Sequence, residues 1–337
     1  MSSVAVVILN YNGKELLKKF LPGVIEHSGS ARIIVADNNS HDGSMDLLTK
    51  EFPSIEIIPI SSNLGFCGGY NYALQQVKAD YYLLLNSDVE VTANWLTPLI
   101  DLLDGDDTIA AVQPKILSYH QKNKFEHAGA GGGFIDKLGY PFCRGRLFDQ
   151  LEEDKDQYDD SVPVFWSSGA CMLIRSSLFK SFNGFDETFF AHMEEIDLCW
   201  RLKREGHQIY YCGASQVYHM GGGTLSESNP RKTYYNFRNG LILLIKNLDP
   251  LNLAVTLPIR VILDTMAAFM FLAIGQGGNF MAVAKAHFFI LTRLFGLLRK
   301  RTGSPYEVDL IYQGSIVFDY FLSGKSKFKE LDFNNPK

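Results

Sequence analysis

The chain has 337 residues, of which 46% are hydrophobic and 20% charged, and its 32 basic and 37 acidic residues give a net charge of −5. This is the composition of a globular protein, and the acidic balance argues against nucleic acid as a partner of the whole chain. The five cysteines never occur in a C-x-x-C spacing, which favours reduced thiols in the cytoplasm over a zinc site or a disulfide framework. No basic segment precedes the first apolar run, so we predict a strand there and not a signal peptide.

Three apolar runs near the N-terminus are each followed by polar residues and a helical segment. The predicted strands cover residues 4–9, 32–36 and 55–60, and the helices after them end near residues 27, 51 and 77. A fourth run, 81–85, consists of five consecutive apolar residues, which is typical of a strand buried on both faces. Successive βα units of this kind predict an α/β fold with a doubly wound, mostly parallel sheet.

Polar side chains stand at the carboxyl end of each predicted strand, namely Asn10, Asp37, Asn63 and Asp88. Ligands of open α/β sheets bind at this edge, so these residues predict a polar binding rim. Asp88, at the mouth of the fourth strand, suits a hard divalent cation that is shared with phosphate oxygens. The alternative is that residues 86–88 only form a turn and cap a helix that starts near Thr92.

The glycines after the third strand, Gly65, Gly68 and Gly69, form a G-x-x-G-G pattern. A dinucleotide fingerprint would be G-x-G-x-x-G after a first strand, so this class of site is not indicated. The run can let a helix start approach a phosphate or a base closely. It can equally serve only the packing of that helix on the sheet, and the sequence leaves both possibilities open.

The stretch from residue 104 to 220 has weaker patterns. We predict strands over 109–116, 165–174 and 208–212, a flexible glycine-rich loop over 126–133 and a solvated acidic segment over 149–160. Within the second of these strands we expect a close backbone approach at Gly169.

A predicted helix from about Met193 to Gly206 has three carboxylates in its first turn, from Glu194, Glu195 and Asp197. The positive end of a helix keeps a carboxylate ionised, which is what a general base requires. The alternative is the charge complementarity found at the start of many helices.

His219 follows the last predicted strand and precedes three glycines, which leave its imidazole room to reach a metal or a phosphate. A lone histidine in this position is more often structural.

Eight short motifs follow one another along the chain: VVILNYN at 6–12, DNNSxxGS at 37–44, NLGFxGGxN at 63–71, LNSDV at 85–89, SGA at 168–170, GFDExFF at 184–190, EExDLCxR at 194–201 and VxHxGG at 217–222. As an ordered set they resemble the family 2 inverting glycosyltransferases with the GT-A fold, in particular their bacterial rhamnosyltransferase-like branch. The resemblance covers residues 4 to about 245. It implies a nucleotide-sugar donor, a Mg²⁺ or Mn²⁺ ion, and direct displacement at the anomeric carbon with inversion.

The resemblance also implies roles for individual residues. Asp37 corresponds to the residue that hydrogen-bonds the base of the nucleotide, and Asn10 and Asn63 line the nucleotide pocket. The other residues that we predict to bind substrate are Tyr11, Asn38, Gly68, Asn71, Asn86, Gly169, Asp197 and Arg238.

For the metal, the resemblance implies Asp88 and His219 as ligands. Because Asn86 stands where the family's acidic motif begins, Asp88 is the only anionic ligand from its strand. Glu195 stands where the family usually has a catalytic Asp, and Glu is one methylene longer. Glu194 and Glu195 therefore both stay candidates for the base that deprotonates the acceptor hydroxyl.

Two other classes of protein are compatible with parts of this pattern. A membrane-associated protein that binds nucleotide sugars without transferring them would not need the acidic and histidine residues at the strand ends. A nucleotidyltransferase would need a basic, glycine-rich loop after the first strand, and residues 10–13 are not basic. We therefore predict a glycosyltransferase.

The C-terminal part differs in composition, since residues 240–301 carry 7 basic and 2 acidic residues and are the most apolar part of the chain. We predict a catalytic domain over 1–245, a membrane-associated helical hairpin over 246–301 and a tail over 302–337. The segment 251–274 is long enough to span a bilayer, but Arg260 and Asp264 interrupt it, and the segment 281–298 contains Lys285, His287 and Arg293.

These charges favour two helices that lie in the membrane interface, joined by a turn at 275–279. The basic residues 299–301 would add attraction to anionic lipid. We therefore predict a cytoplasmic protein, peripheral on the inner face of the cell membrane, whose acceptor is a lipid-linked or cell-surface glycan. The competing interpretation is a hairpin that packs on the catalytic domain or on a second copy of the chain, as in a homodimer.

Overall fold

The computed structural model describes residues 2–126, 129–221, 229–301 and 308–333. Strands and helices alternate through the first third of the chain, as the apolar runs predicted. Their bounds are β1 Val4–Asn10, α1 Lys14–His27, β2 Arg32–Asp37, α2 Ser44–Glu51, β3 Glu56–Pro59, α3 Gly65–Gln76, β4 Tyr81–Asn86, β5 Val89–Val91 and α4 Thr97–Gly105.

The middle of the chain contributes mostly strands. These are β6 Ile109–Ser118, β7 Gly133–Asp136, β8 Pro141–Cys143, β9 Arg146–Leu147, β10 Gln150–Leu151, β11 Ser161–Val164, β12 Cys171–Arg175 and β13 Gln208–His219, with helices α5 Ser176–Ser181 and α6 Glu194–Arg204 before the last of them. The C-terminal part is helical, with α7 Pro230–Asn247, α8 Pro250–Ala273, α9 Gly277–Arg299, β14 Ile311–Tyr312, α10 Ile316–Phe321 and a short 3₁₀ helix Phe328–Glu330.

The described residues form a central sheet in the order β11-β13-β6-β12-β4-β1-β2-β3, with β5 paired to β13. β1 pairs in parallel with β2 and β4, and β2 with β3, whereas β12 is antiparallel to both β4 and β6. β4 lies near the middle, and its side chains alternate between two cores. Tyr82 and Leu84 belong to one, Leu83 and Leu85 to the other. The predicted α/β fold with a mostly parallel sheet is therefore confirmed.

Some predicted bounds were wrong, for reasons that lie in tertiary pairing. No helix starts near Thr92, because Val89–Val91 pairs with the end of β13 instead. β13 was predicted to end at residue 212, but a register shift between Cys212 and Gln216 lets it continue beside β6. The predicted strand over 165–174 is shorter, because Phe165 bonds the backbone of Gly133 in a second sheet.

The second sheet has the order β10-β9-β8-β7-β14 among the described residues and covers one side of the core. The acidic segment 149–160 lies along it and is not simply solvated, as predicted, because some of its carboxylates neutralise buried cations. The buried Lys115 pairs with Asp154 at 3.0 Å and with Asp159, and Arg144 pairs with Asp160 at 2.6 Å. In the predicted loop 126–133, residues 127 and 128 lie outside the described part of the chain.

The helices α7, α8 and α9 pack on one another and on the catalytic core. α7 buries Leu241 to Ile245 in that core. α8 and α9 form the predicted hairpin, and both are long and apolar enough to cross a membrane by length and composition, with mean hydropathies of 1.7 and 1.5.

The two charged residues in the middle of α8, Arg260 and Asp264, are buried and face the catalytic core. They form an ion pair at 2.9 Å. Arg260 Nη1 donates to the carbonyl of Leu138 at 3.1 Å, and the Tyr140 hydroxyl donates to Asp264 at 3.2 Å. The charges that interrupt the apolar segment therefore attach the hairpin to the turn between β7 and β8. One face of the hairpin packs on the catalytic domain, as the competing interpretation required.

Candidate active site

The polar rim predicted from the strand ends lies along the carboxyl edge of β1, β2 and β3. Asn10 Nδ2 donates to Asp37 Oδ1 at 2.9 Å and to Ser40 Oγ at 3.1 Å, and the backbone N–H of Ser40 donates to Asp37 Oδ2 at 2.9 Å. Asn10 and Asp37 are both buried. The Oδ1 atom of Asn10 is buried without a hydrogen-bond donor among the described residues, which leaves it open to a ligand.

A second pair of amides joins β2 to the start of α3. Asn38 Nδ2 donates to Asn63 Oδ1 at 3.1 Å and to the carbonyl of Gly65 at 3.0 Å, and Asn38 Oδ1 accepts from the N–H of Leu64 at 2.9 Å. Tyr11 is 42% exposed at the same rim. The structure thus brings Asn10, Tyr11, Asp37, Asn38 and Asn63 together, where a nucleotide would bind at the carboxyl edge of the sheet.

The glycine run and Asn71 serve packing. A Cβ on Gly68 would lie 2.9 Å from the Cβ of Leu64, and one on Gly69 would lie 2.7 Å from the Leu9 side chain. The Asn71 side chain donates to the carbonyl of Phe185 at 2.8 Å and accepts from its N–H at 3.0 Å. These contacts support the packing alternative for the run, and they show that the Asn71 amide holds the loop before α6, while its predicted contact with substrate stays a prediction.

Asp88 lies in the turn between β4 and β5, and the pairing of β5 with β13 brings it to His219. His219 Nε2 is 3.1 Å from Asp88 Oδ1, and His219 Nδ1 is 3.0 Å from Glu126 Oε2. Burial alone would lower the pKa of His219, but hydrogen bonds to the two carboxylates raise it to about 10. The structure therefore brings both predicted metal ligands together. Of the glycines after His219, Gly222 and Gly223 lie outside the described residues.

The donor atoms of this cluster fit a divalent cation. A carboxylate oxygen and an imidazole nitrogen that lie 3.1 Å apart can share one ion. Glu126 holds the other ring nitrogen, the arrangement in which a carboxylate orients a metal-binding histidine and makes its imidazole a better ligand. Asn86, at the end of β4, is tied to the next strand by its N–H, which donates to the carbonyl of Ala170 at 3.0 Å.

Glu194 and Glu195 begin α6, near the point where β12 meets the end of β4. Each has one carboxylate oxygen that is buried without a hydrogen-bond partner among the described residues. The Cβ of Glu195 would lie 4.0 Å from a Cβ on Gly169, and the Phe66 ring would lie 3.2 Å from it. Gly169 is thus a close approach, as predicted, and it lies next to Ala170, whose carbonyl accepts the N–H of Asn86.

The two glutamates differ in the exposure of the residue as a whole, and the pKa of each carboxyl group is raised by its surroundings. Glu194 is 4% exposed, and desolvation together with the charge of Glu195 raises its pKa well above the usual value. Glu195 is half-buried, and desolvation raises its pKa to about 7. A pKa raised toward neutrality suits Glu195 to act as a general base, and the raised pKa of Glu194 favours its neutral form.

The third carboxylate of this turn, Asp197, has a structural role. It is fully buried, and its oxygens accept from Arg201 Nε, Lys246 Nζ and Asn247 Nδ2, each at 2.8 Å. Burial would raise its pKa, but the cations of Arg201 and Lys246 lower it. The prediction that Asp197 binds substrate is corrected here, because both oxygens are occupied by side chains of the protein.

A strained loop leads into α6. Phe190, His192 and Met193 have φ values of 65°, 70° and 71°, a conformation that costs energy for residues other than glycine. Asn239 Nδ2 donates to the carbonyls of Phe189, Ala191 and His192 at 3.1, 2.8 and 2.6 Å.

The neighbouring residue on α7 supports the same loop. Arg238 Nη2 donates to the carbonyls of Thr188 and Phe189 at 3.0 and 2.7 Å, and its Nε donates to Asn239 Oδ1. The Arg238 guanidinium therefore holds the loop before α6, and its predicted contact with substrate stays a prediction.

Sequence reasoning missed two of the residues that build this site. Glu126 was placed in a flexible loop, and Asn239 was not singled out. The one available signal for Asn239 is its position directly after Arg238 in an otherwise apolar part of α7.

Comparison with known proteins supports the resemblance to family 2 glycosyltransferases that the sequence motifs indicated. The model of the family described as glycosyl transferase family 2 matches residues 5–181, which is more than half of the chain. The chain belongs to glycosyl transferase family 2. Within this family it falls in the rhamnosyltransferase-like branch, as its relatives indicate.

Two of these relatives are named as rhamnosyltransferases. The N-acetylglucosaminyl-diphospho-decaprenol L-rhamnosyltransferase of Mycobacterium tuberculosis is 26% identical over 230 residues, which are 64% of this chain and 75% of that protein. The rhamnosyltransferase WbbL of Escherichia coli is 27% identical over 233 residues, covering 64% of this chain and 83% of that protein.

Solved structures share the fold of this glycosyltransferase at low sequence identity. GalNAc-T7 with UDP, GalNAc and Mn²⁺ superimposes with a TM-score of 0.57 at 16% identity, over 72% of this chain and only 48% of that one. The mannosyltransferase PcManGT from Pyrobaculum calidifontis, in complex with GDP-Man and Mn²⁺, has a TM-score of 0.50 at 12% identity over 86% of this chain and 75% of that chain. The GT-A architecture is thereby established for this family 2 member.

Proposed function

We propose that this glycosyltransferase moves a sugar from a nucleoside-diphosphate sugar to a hydroxyl group of a lipid-linked glycan, with inversion and with the help of a divalent cation. The observation that carries the proposal is the pair of groups that are joined through Gly169 and Ala170. Glu195 contacts Gly169, and the next residue, Ala170, accepts the N–H of Asn86, two residues before Asp88 of the Asp88–His219 cluster.

Each group has one task in this reaction. The rim of Asn10, Asp37 and Asn63 binds the nucleotide, and Asp88 and His219 would hold Mg²⁺ or Mn²⁺. A bound cation supplies neutralisation of the charge that develops on the diphosphate leaving group. Glu195 takes the proton of the acceptor hydroxyl. At the same time the oxygen of that hydroxyl bonds to the anomeric carbon, and the bond from that carbon to the diphosphate breaks. Because attack and departure occur on opposite faces of the sugar, the configuration inverts.

The test uses the full-length protein and a panel of nucleoside diphosphates and their sugars, with Mn²⁺, with Mg²⁺ or with chelator. We expect one nucleotide class to raise the melting temperature only with metal, and its sugar to be transferred. Asp88→Asn should lose the metal-dependent part of both effects. Glu90→Gln, which removes a nearby carboxylate that pairs with Lys122 at the surface, should keep both. Turnover of Asp88→Asn that matches wild type in the presence of Mn²⁺, or wild-type turnover that chelator leaves unchanged, would disprove the metal assignment.

We further propose that the hairpin of α8 and α9 lies on an anionic membrane surface. Large apolar side chains line its outer face at helical spacing: Leu251, Val255, Ile259, Ile262, Met266, Phe269, Met270, Met281, Phe288, Leu291 and Phe295, which are 39% to 83% exposed. A contiguous apolar face of this kind marks a membrane or protein interaction site. The one carboxylate of α8 and α9, that of Asp264, is buried in the ion pair with Arg260.

The charges around this face favour lipid over a second copy of the chain. The exposed ionisable residues of α8 and α9 are Lys285, Arg293 and Arg299, all basic. Two such faces brought together in a dimer would repel each other, whereas anionic headgroups would attract each of them, at about 1 kcal/mol per charge near the surface.

Flotation with vesicles tests this proposal. Wild type should float with vesicles that contain phosphatidylglycerol, and Leu291→Gln/Phe295→Gln should remain in the soluble fraction. The matched control is Ile25→Gln/Tyr72→Gln, which removes two partly exposed apolar side chains from α1 and α3 and should float like wild type. Equal flotation of both double variants, or a stable dimer without lipid, would contradict the proposal.

A further inference from the structure

Two basic residues in the first turn of α7, Arg231 and Lys232, have no carboxylate partner among the described residues. Arg231 is exposed, and its guanidinium lies over the Phe190 and Tyr235 rings at 5.8 and 5.7 Å. Among the described residues, this guanidinium forms only long hydrogen bonds, at 3.4 Å, to the Tyr235 hydroxyl. The rings themselves are stacked, with centroids 5.6 Å apart and planes at 17°. The aromatic pair thus holds the guanidinium in place and leaves its donor groups free.

The second cation, Lys232, is half-buried and lies near His192. Burial, together with the charge of Lys232, lowers the pKa of His192 to about 4. His192 is therefore neutral at physiological pH and adds no positive charge. Because no acidic side chain among the described residues compensates Arg231 or Lys232, the described part of this corner carries two positive charges that an anion could bind.

The corner borders the candidate active site. Phe190, which underlies Arg231, belongs to the strained loop that leads directly into Glu194 and Glu195. Its carbonyl accepts the N–H groups of Phe66 and Cys67 at the start of α3, at 2.9 and 3.2 Å. An anion on Arg231 would therefore lie beside both the base-bearing turn and the nucleotide rim.

The same corner borders the tip of the hairpin. Thr233 Oγ1 donates to Asn279 Oδ1 at 3.1 Å, and a Cβ on Gly278 would lie 3.0 Å from the Pro230 ring. The tip carries exposed apolar side chains, among them Met270 and Ile274, which are 63% and 66% exposed. A molecule with an apolar tail on the hairpin tip would thus bring its polar end to Arg231 and Lys232.

We propose that Arg231 and Lys232 bind the phosphate groups that join the lipid to the sugar of the acceptor, with Tyr235 as the residue that positions Arg231. The planar fork of an arginine suits two phosphate oxygens at once, and lysine adds a compact charge. This inference rests on the proposed function, since it assigns the linker of the lipid-linked acceptor to one surface. A site of this kind would bind a prenyl diphosphate in preference to a neutral lipid.

The experiment measures binding to the full-length protein in detergent of four probes: geranylgeranyl diphosphate, geranylgeraniol, inorganic pyrophosphate and phosphatidylglycerol. We expect geranylgeranyl diphosphate to bind more tightly than the other three. Arg231→Gln/Lys232→Gln should weaken it about 10- to 100-fold, which is the worth of one or two charge-assisted hydrogen bonds. The matched control, Lys285→Gln/Arg293→Gln, removes two exposed positive charges from α9 and should change it less than threefold.

Three outcomes would overturn the inference. Pyrophosphate that binds as tightly as the prenyl diphosphate would indicate a site for a free anion. Equal weakening by both double variants, or a matching loss of phosphatidylglycerol binding, would indicate general attraction to anionic lipid. Unchanged binding in Arg231→Gln/Lys232→Gln would exclude these residues.

Tyr235→Phe gives a further test of the positioning role. It keeps the ring under the guanidinium but removes the hydroxyl, so it should retain most of the affinity that Tyr235→Ala loses. Failure of the proposed function would appear separately, as a protein that neither binds a nucleotide nor transfers a sugar, whatever its affinity for prenyl diphosphate.

Discussion

In the nucleotide rim, Asn10, Asp37, Asn38 and Asn63 form hydrogen bonds with one another or with nearby backbone. Around the start of α6, by contrast, Glu194 and Glu195 each keep a buried oxygen without a partner, and the loop before them has three residues with positive φ. The first region keeps one such oxygen, Asn10 Oδ1, whereas the second combines two buried oxygens without partners among the described residues with a strained backbone. Strain and desolvation of this kind concentrate where chemistry occurs.

The largest effect should come from removing the base. Glu195→Gln should lower turnover by about 10²- to 10⁴-fold, the usual worth of a positioned general base, and leave donor affinity nearly unchanged. Glu194→Gln should lower turnover by less than about tenfold, because a protonated glutamate and a glutamine have similar hydrogen-bonding groups. Steady-state kinetics and donor titration measure both variants. The reverse order of effects would assign the base to Glu194.

The next effect concerns the support of the strained loop. Asn239→Asp replaces an amide donor with a carboxylate facing three carbonyl oxygens, so the loop should move and displace Glu195. A displacement of about 1 Å is worth about 10²-fold in rate, and we expect a fall of that size in kcat with a small change in the KM of the donor. Asn123→Asp, in an exposed turn, is the control. If Asn239→Asp kept its turnover and lost only thermal stability, the loop would not position the base.

The pH dependence of turnover tests whether the pKa of the Glu195 carboxyl group is raised. Its raised pKa of about 7 means that the base form is lost as the pH falls through 7, so kcat/KM should decrease about tenfold per pH unit on the acid side. The slope should persist in Glu194→Gln. A limb below pH 5 in the wild type would mean that Glu195 is solvated and paired like an ordinary surface carboxylate.

The smallest effect should arise in the nucleotide rim. Asn10→Ala removes the amide that bridges Asp37 and Ser40, and a hydrogen bond is worth about 0.5–1.5 kcal/mol net. We expect donor affinity to fall about two- to tenfold, with kcat unchanged. Calorimetric titration of the nucleotide measures the change. A large loss of kcat would mean that the rim takes part in the reaction and the contrast between the two regions is false.

The parts of the molecule that the sequence made predictable are those in which local pattern and tertiary role agree. The apolar runs at 4–9, 32–36 and 81–85 became strands, and the polar residues after them had to meet at one edge because parallel strands point the same way. Asp88 and His219 were assigned to one cation by resemblance, and the pairing of β5 with β13 gives the geometric reason for their proximity.

Other parts depend on contacts that no local pattern records. Glu194, Glu195 and Asp197 stand in one helical turn, and their roles differ because Arg201, Lys246 and Asn247 reach only the third of them. Glu126 lies 93 residues from His219 along the chain. Arg260 and Asp264 appear in the sequence as interruptions of an apolar segment, and only the position of the β7–β8 turn reveals their partners.

The bonds of Lys246 and Asn247 to the buried carboxylate of Asp197 also bear on what counts as the smallest working fragment of this enzyme. The family model ends at residue 181, and a gene cut after residue 245 would still encode every group that we assign to chemistry. Its product would nevertheless lose the Lys246 and Asn247 hydrogen bonds of the buried Asp197 and keep, among the described residues, the ion pair with Arg201, and a hydrogen bond to a charged group contributes about 1.5–3 kcal/mol. The smallest stable fragment should therefore include the last turn of α7 together with α6, and an exchange of the hairpin between relatives should be tolerated only beyond Asn247.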